Sequence, residues 1–367
     1  MKALVVFGTR PEAIKMCPLV LALQQSPGIE TKVCVSGQHR QMLDQVLNIF
    51  GVEPDFDLNI MQPNQTLEMI TCAVLENMRA VIEQAQPDIV LVHGDTTTSM
   101  AAALASFYCQ VPVGHVEAGL RTYDRYSPFP EEMNRKILSA VCTYHFAPTQ
   151  GNAQALAREN ITEHVYVTGN TVIDAFAYTV LDDYHFSSPA LAAHDFSKPT
   201  ILMTAHRREN LGQPMANICQ AVVQICNDDP DLRVVYPVHM NPAVRDTVFP
   251  ILEPHPQVTL CDPIDVQDMH NAMAHCILVL TDSGGLQEEA PHLGKPVVVL
   301  RTETERPEAV EAGTAVVAGV KTADIVDITE RILTDETVYA RMANAVNPYG
   351  DGHACERIVR VLKENFA

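Results

Sequence analysis

Short apolar runs alternate with helix-periodic stretches along almost the whole chain, and few architectures accept that pattern. The runs are "ALVVF" (3–7), "KVCVS" (32–36), "DIVLVH" (88–93), "VPVGHVE" (111–117), "YHFAPT" (144–149) and "VYVTG" (165–169). After an interruption the pattern restarts with "TILMTA" (200–205), "RVVYPV" (233–238), "VTLCD" (258–262), "CILVLT" (276–281), "PVVVL" (296–300) and "AVVAG" (315–319). Strands apolar on both faces, separated by helices, form a parallel sheet covered on both sides. Between them lie helical patterns such as Met42, Leu43, Val46, Leu47 and Phe50, closed by Gly51. A second, Leu67 to Ala85, is halted by Pro87. Residues 182–199 are the least periodic and read as a linker or excursion. The chain is therefore expected to form two Rossmann-like, doubly wound α/β domains, 1–168 and 169–352. The amphipathic end "HACERIVRVLKENFA" (353–367) fits on either.

Composition narrows the function. At 367 residues, 47% hydrophobic, the chain is long enough for two cores. Its longest apolar runs are far too short to span a bilayer. Arg10 and Lys15 fall where a signal peptide needs an apolar stretch, so a cytoplasmic protein is expected. The ten cysteines are scattered without a C-x-x-C pair and read as reduced thiols. A net charge of −20 opposes nucleic acid or an anionic membrane as partner. The few cations concentrate where strands end: Arg10/Lys15, Arg121/Arg125, Arg207/Arg208 and Arg301/Arg306. That placement suits a small anion. Neither G-x-G-x-x-G nor G-x-x-x-x-G-K-[ST] is present, which weakens dehydrogenase and ATPase readings.

In doubly wound folds ligands bind beyond the carboxyl ends of the strands, and between two domains that means the cleft. The first domain offers Arg10, Lys15, Asp95, His115, Glu117, Glu131 and Glu132 at such ends. The second offers His206, Arg207, Arg208, His239, the segment Ser283 to Glu289, and Arg306. Helix capping competes for Asp95 and Glu131, which both precede or open a helix. Glu117 ends a strand with no helix to cap. Two arginines follow His206, which disfavours a metal there and suits a donor to a phosphate oxygen.

The segment "TDSGGLQEEAP" (281–291) is the most informative. Two glycines allow close backbone approach, and a helix start offers free N–H groups to an anion. Gly285 and Glu289 are four residues apart, roughly 6 Å of helix rise on one face. A diphosphate at the Ser283–Gly284–Gly285 amides would put a ribose about that far along, where Glu289 can accept its hydroxyls. Glu288 is turned about 100° away. The competing reading is a pair of solvated glutamates.

Seven motifs in order, "FGTRPEA", "HGDTTTS", "HVEAGLRT", "FPEEMNR", "HRREN", "DSGGLQEEA" and "TERPEA", resemble the non-hydrolysing UDP-N-acetylglucosamine 2-epimerases. The resemblance runs from residue 7 to residue 309. It implies the two-domain GT-B fold, with residues 353–367 crossing back to the first domain, and a homodimer. It also implies interconversion of UDP-N-acetylglucosamine and UDP-N-acetylmannosamine without NAD, metal or another cofactor. The implied route is anti elimination of UDP to a 2-acetamidoglucal, then re-addition. Carried over by motif, Asp95, Glu117 and Glu131 are the acid/base candidates, with His206 at the diphosphate. Arg10, Lys15, Ser283, Gly284, Gly285, Glu289 and Arg306 are the implied substrate contacts. Carboxylates clustered beside a phosphate are expected to have raised pKa values.

"GQHRQM", with Gln38, His39, Arg40 and Gln41, resembles a segment that contacts a second, activating nucleotide sugar in some bacterial members. Position 64 is Asn64 where activator-dependent members carry arginine, so these residues are left out of the site. Met269 stands where some relatives have an aromatic residue. A hydrolysing 2-epimerase, a GT-B glycosyltransferase and a nucleotide-sugar sensor without turnover stay open as alternatives. Intact Asp95, Glu117 and Glu131 speak against the sensor.

Overall fold

A computed structural model describes residues 1–37, 40–62 and 64–366, the side chains of 40–42 excepted. The chain divides into two compact units, Met1–Tyr178 with Tyr349–Ala367, and Thr179–Pro348.

In the first unit the strands are β1 (Lys2–Phe7), β2 (Glu30–Val35), β3 (Phe56–Asp57), β4 (Ile89–His93), β5 (Val113–Val116), β6 (Tyr144–Ala147) and β7 (Val165–Val167). They form one parallel sheet in the order β3-β2-β1-β4-β5-β6-β7. Every apolar run expected as a strand in this half is one. The addition is β3, whose two residues carry no apolar run that could announce it. Leu4, Val6, Val90, Val92 and Val113 pack under Val74, Met78, Ala102 and Leu138 from the covering helices. The continuous apolar runs of the central strands β1 and β4, Ala3–Phe7 and Ile89–Val92, follow from that two-sided burial.

The second unit holds β8 (Thr200–Thr204), β9 (Arg233–Pro237), β10 (Val258–Cys261), β11 (Leu278–Thr281), β12 (Val297–Val299) and β13 (Ala315–Val317). Their order is β10-β9-β8-β11-β12-β13, again all parallel. Its core gathers Ile201, Met203, Val234, Tyr236 and Leu280 against Ile218, Val222, Val244 and Ile325.

Both sheets reverse their winding at one place. Consecutive strands leave β1 toward β2 on one side and return to β4 on the other; β8 stands likewise between β9 and β11. At such a switch point the loops after the two central strands splay apart and leave a crevice at the carboxyl edge. The loops concerned are 8–9 and 94–96 in the first unit, 205–207 and 282–283 in the second.

Two other features bear on the sequence reading. The first unit ends after Tyr178, not after residue 168, because helix Thr171–Thr179 is tied to the C-terminal helix Ala354–Phe366. Asp174 accepts from Ala354 N at 3.1 Å and Cys355 N at 2.8 Å, so it caps that helix. Its amphipathic face packs on helix Arg10–Gln24, and Phe366 meets Tyr144 with ring centres 5.5 Å apart. The aperiodic 182–199 belongs wholly to the second unit. Buried Asp268 holds it by accepting from Tyr184 Oη (2.8 Å), Ser187 N (2.9 Å), Ser187 Oγ (2.8 Å) and Ser188 N (2.8 Å). No helix among the described residues is long and apolar enough to cross a membrane.

Candidate active site

The first switch point is stapled by Glu12, a residue that the sequence reading passed over. Its Oε2 accepts from Gly8 N (3.0 Å), Thr9 N (2.9 Å) and Thr9 Oγ1 (2.8 Å). Its Oε1 accepts from Thr96 Oγ1 (2.7 Å) and Ser99 Oγ (2.8 Å), on the loop and helix after β4. Gly8 sits so close to Ser36 Oγ that a Cβ would lie 2.0 Å away, so a larger residue would have to displace that buried hydroxyl. One buried carboxylate thus fixes both walls of the crevice. Arg10 opens helix Arg10–Gln24 directly beyond it.

Thr96, not Asp95, caps the helix Thr97–Tyr108, with its Oγ1 accepting from Ser99 N at 3.0 Å. Capping therefore does not account for Asp95. Gly94 takes φ +62°, which turns the chain after β4. The Asp95 carboxylate is gripped by Arg135, Nε at 2.9 Å and Nη2 at 2.7 Å from Oδ2. Arg135 also reaches Glu132 at 3.3 Å, and Glu132, fully buried, accepts from Thr122 N (2.9 Å) and Tyr123 N (3.1 Å). Glu132 is committed to holding the 121–123 loop. Its neighbour Glu131 is not: it opens helix Glu131–Val141 without capping it, and its Oε2 is buried with no hydrogen-bond partner among the described residues.

Glu117 follows β5 with φ +64°, a left-handed conformation that a non-glycine residue adopts at a cost of about 1–3 kcal/mol. Lys15 Nζ pairs with its Oε2, Asn170 Nδ2 donates to the same oxygen at 2.8 Å, and His93 Nε2 lies 3.6 Å away. The carboxylate is 10% exposed and His93 5%. Burial acts to raise the Glu117 carboxyl, but the charge of Lys15 and then the His93 contact outweigh it and hold it well below the usual carboxylate range. This corrects the expectation of a raised value at Glu117. The cation that sequence spacing could only place near a strand end sits on the carboxylate itself.

In the second unit Asp282 does what Glu12 does in the first. It is fully buried after β11, and its Oδ2 accepts from His206 N (2.8 Å), Arg207 N (2.8 Å) and Asn210 Nδ2 (3.0 Å) in the loop after β8. His206 is held so that its ring stacks on His239, with centroids 5.3 Å apart and planes 9° from parallel. Burial foremost, with His239 and Arg207, lowers the His206 pKa from its ordinary value, against the pull of Asp282.

Ser283 precedes the short helix Gly284–Glu289 without capping it. A Cβ on Gly284 would stand 3.5 Å from the Arg306 guanidinium and 3.9 Å from Arg207 Nη2, so two cations converge on that backbone. Glu289 Oε1 comes within 3.1 Å of the Cβ position of Gly285, on the face that the four-residue spacing demands. Glu288 instead turns inward and pairs with Arg306 Nε. The pair of solvated glutamates is ruled out: the Glu288 side chain is 3% exposed and Glu289 16%, with His270 Nε2 3.4 Å from the latter. Of the proposed activator segment, Gln38, His39 and the side chains of Arg40 and Gln41 lie outside the described residues.

Two doubly wound parallel sheets in succession, each with charged side chains gathered at its switch point, define a Rossmann-like protein of the GT-B class. A glycotransferase of kitacinnamycin, only 12% identical, shares that fold with a TM-score of 0.68 over 100% of this chain and 99% of its own. Residues 21–363 match the model of the UDP-N-acetylglucosamine 2-epimerase family, and the chain belongs to that family. A UDP-N-acetylglucosamine 2-epimerase of Escherichia coli (strain K12) is 52% identical over 372 residues, spanning 100% of this chain and 99% of its own. The crystal structure of UDP-GlcNAc 2-epimerase from Neisseria meningitidis bound to UDP-GlcNAc matches with a TM-score of 0.89 at 46% identity, covering 100% of both chains.

Proposed function

We propose that this chain reversibly epimerises UDP-N-acetylglucosamine at C2 to UDP-N-acetylmannosamine, without releasing the free sugar. The observation that carries this reading is Glu117, a carboxylate kept ionised by Lys15 in a strained, buried setting. Kept ionised, Glu117 is in the form that can accept a proton from carbon. Asp95, whose Arg135 partner fixes its orientation, and Glu131, with a buried oxygen unpartnered among the described residues, complete the acid/base set.

In the proposed reaction the C1–O bond breaks with its electron pair leaving on the UDP diphosphate. A carboxylate takes the C2 proton, and a C1–C2 double bond forms. Return of a proton to the opposite face of C2, and of the diphosphate oxygen to C1, gives the epimer. Charge on the departing diphosphate is met by Arg10, His206, Arg306 and the amides of Ser283, Gly284 and Gly285. Glu289 accepts from the ribose hydroxyls. We assign Lys15 to the charge of Glu117 rather than to the diphosphate, since that is the atom it touches. We further propose a homodimer acting in the cytoplasm, in line with ten unpaired thiols.

The test is proton NMR of the pure protein with UDP-N-acetylglucosamine in D₂O. UDP-N-acetylmannosamine bearing deuterium at C2 supports the reading. Free N-acetylmannosamine with UDP moves the chain to the hydrolysing branch, and binding of UDP without reaction favours a transferase.

A further inference from the structure

Asp282 leaves one atom unexplained. Three donors saturate its Oδ2, yet Oδ1 is buried with no hydrogen-bond partner among the described residues, 3.5 Å from His206 Nδ1. A bare carboxylate oxygen in that position can only accept, so it favours the ring tautomer with hydrogen on Nδ1. Nε2 of a neutral ring then carries a lone pair and cannot donate to a phosphate oxygen. We propose that Asp282 is a positioning residue that forces His206 to bind the diphosphate of its ligand as an imidazolium, so that ligand binding takes up a proton. This rests on the reading of the second unit as a uridine-diphosphate site.

Among the described residues, the charged and titratable groups that act on the ring are Asp282, His239 and Arg207. In the free protein burial, His239 and Arg207 keep the ring neutral above its lowered pKa. The arriving diphosphate reverses that balance, with Asp282 on the opposite nitrogen. Where the free ring is neutral and the terminal phosphate fully ionised, affinity for UDP therefore falls as pH rises, by up to tenfold per pH unit.

The experiment is calorimetric titration with UDP between pH 7.5 and 8.5, in two buffers of different ionisation enthalpy. The terminal phosphate, with a second pKa of about 6, is fully ionised there. We expect an uptake approaching one proton per UDP bound. In Asp282→Asn the three donors select the amide oxygen, which puts the amide NH₂ against Nδ1. The hydrogen moves to Nε2, the neutral ring can donate, and uptake falls toward zero. Binding without proton uptake in the unaltered protein overturns the inference, as does full uptake in D282N. No UDP binding at all overturns the reading of the site itself. Should D282N not fold, ¹⁵N shifts of the His206 ring in the free protein at pH 8 decide: hydrogen on Nδ1 supports the inference and hydrogen on Nε2 overturns it.

Discussion

Replacing Lys15 by methionine keeps the length of the side chain and removes the cation that touches Glu117. The pair is 18% and 10% exposed at its two side chains, and removing one member of a buried pair costs about 3–5 kcal/mol. Asn170 still donates to the carboxylate at 2.8 Å, which places the loss near the lower end, about 3 kcal/mol at pH 8. The pH dependence identifies the cause. In the unaltered protein the folded-state pKa of Glu117 is depressed, so its stabilisation is present above the unfolded value and lost only as pH falls through the folded one. Between pH 8 and pH 5 this carboxyl leaves stability unchanged. In K15M burial is no longer outweighed, the folded-state pKa rises, and the destabilisation present at pH 8 is relieved as pH falls. The deficit should shrink by about 1.4 kcal/mol for each pH unit over which the carboxyl takes up its proton. Urea unfolding followed by circular dichroism at pH 8 and pH 5 measures both arms. A deficit equal at the two pH values would refute the argument, because loss of packing alone does not titrate.

Three further outcomes are expected. Glu117→Gln should abolish epimerisation while UDP binding is kept, and equal loss of both in activity and calorimetric assays would remove Glu117 from the chemistry. Glu289→Ala should weaken UDP about tenfold to a hundredfold, the value of hydrogen bonds to a charged group, and should weaken 2′-deoxy-UDP less. Asp268→Ala strips the acceptor from four donors in 184–188 and should lower the stability of the second unit by about 2–4 kcal/mol, with new thermolysin cleavage inside 182–199. Unchanged proteolysis would mean that the Phe186–Phe196 stacking holds the segment by itself.

Much of this protein is written in local pattern. Runs such as "DIVLVH" and "CILVLT" define strands because two-sided burial favours apolar residues at consecutive positions, and that requirement is visible within a few residues. The Gly285–Glu289 relation was equally legible, since both positions lie on one helix face whatever surrounds them. The motifs put Asp95, Glu117 and Glu131 at strand and helix ends for the same reason. Local pattern misled where a neighbour in space decides. From sequence alone capping competes with catalysis for Asp95, whereas in the fold Thr96 takes the cap. The raised pKa that sequence suggests for Glu117 gives way to a depressed one because Lys15, 102 residues away, lies on it.

Strand order is the link that no local pattern carries. The alternation of strands and helices determined that there would be two doubly wound sheets, but not that β1 stands beside β4 and β8 beside β11. Those pairings depend on contacts between residues far apart in the chain, and they alone decide which loops face each other. Glu12 meets Thr96 and Ser99, and Asp282 meets His206, Arg207 and Asn210, only because the switch points bring their loops together. The sequence by itself settled the kinds of residue at the strand ends. The tertiary structure settled their partners, and with them the charge each holds, because burial and ion pairing act through space and not along the chain.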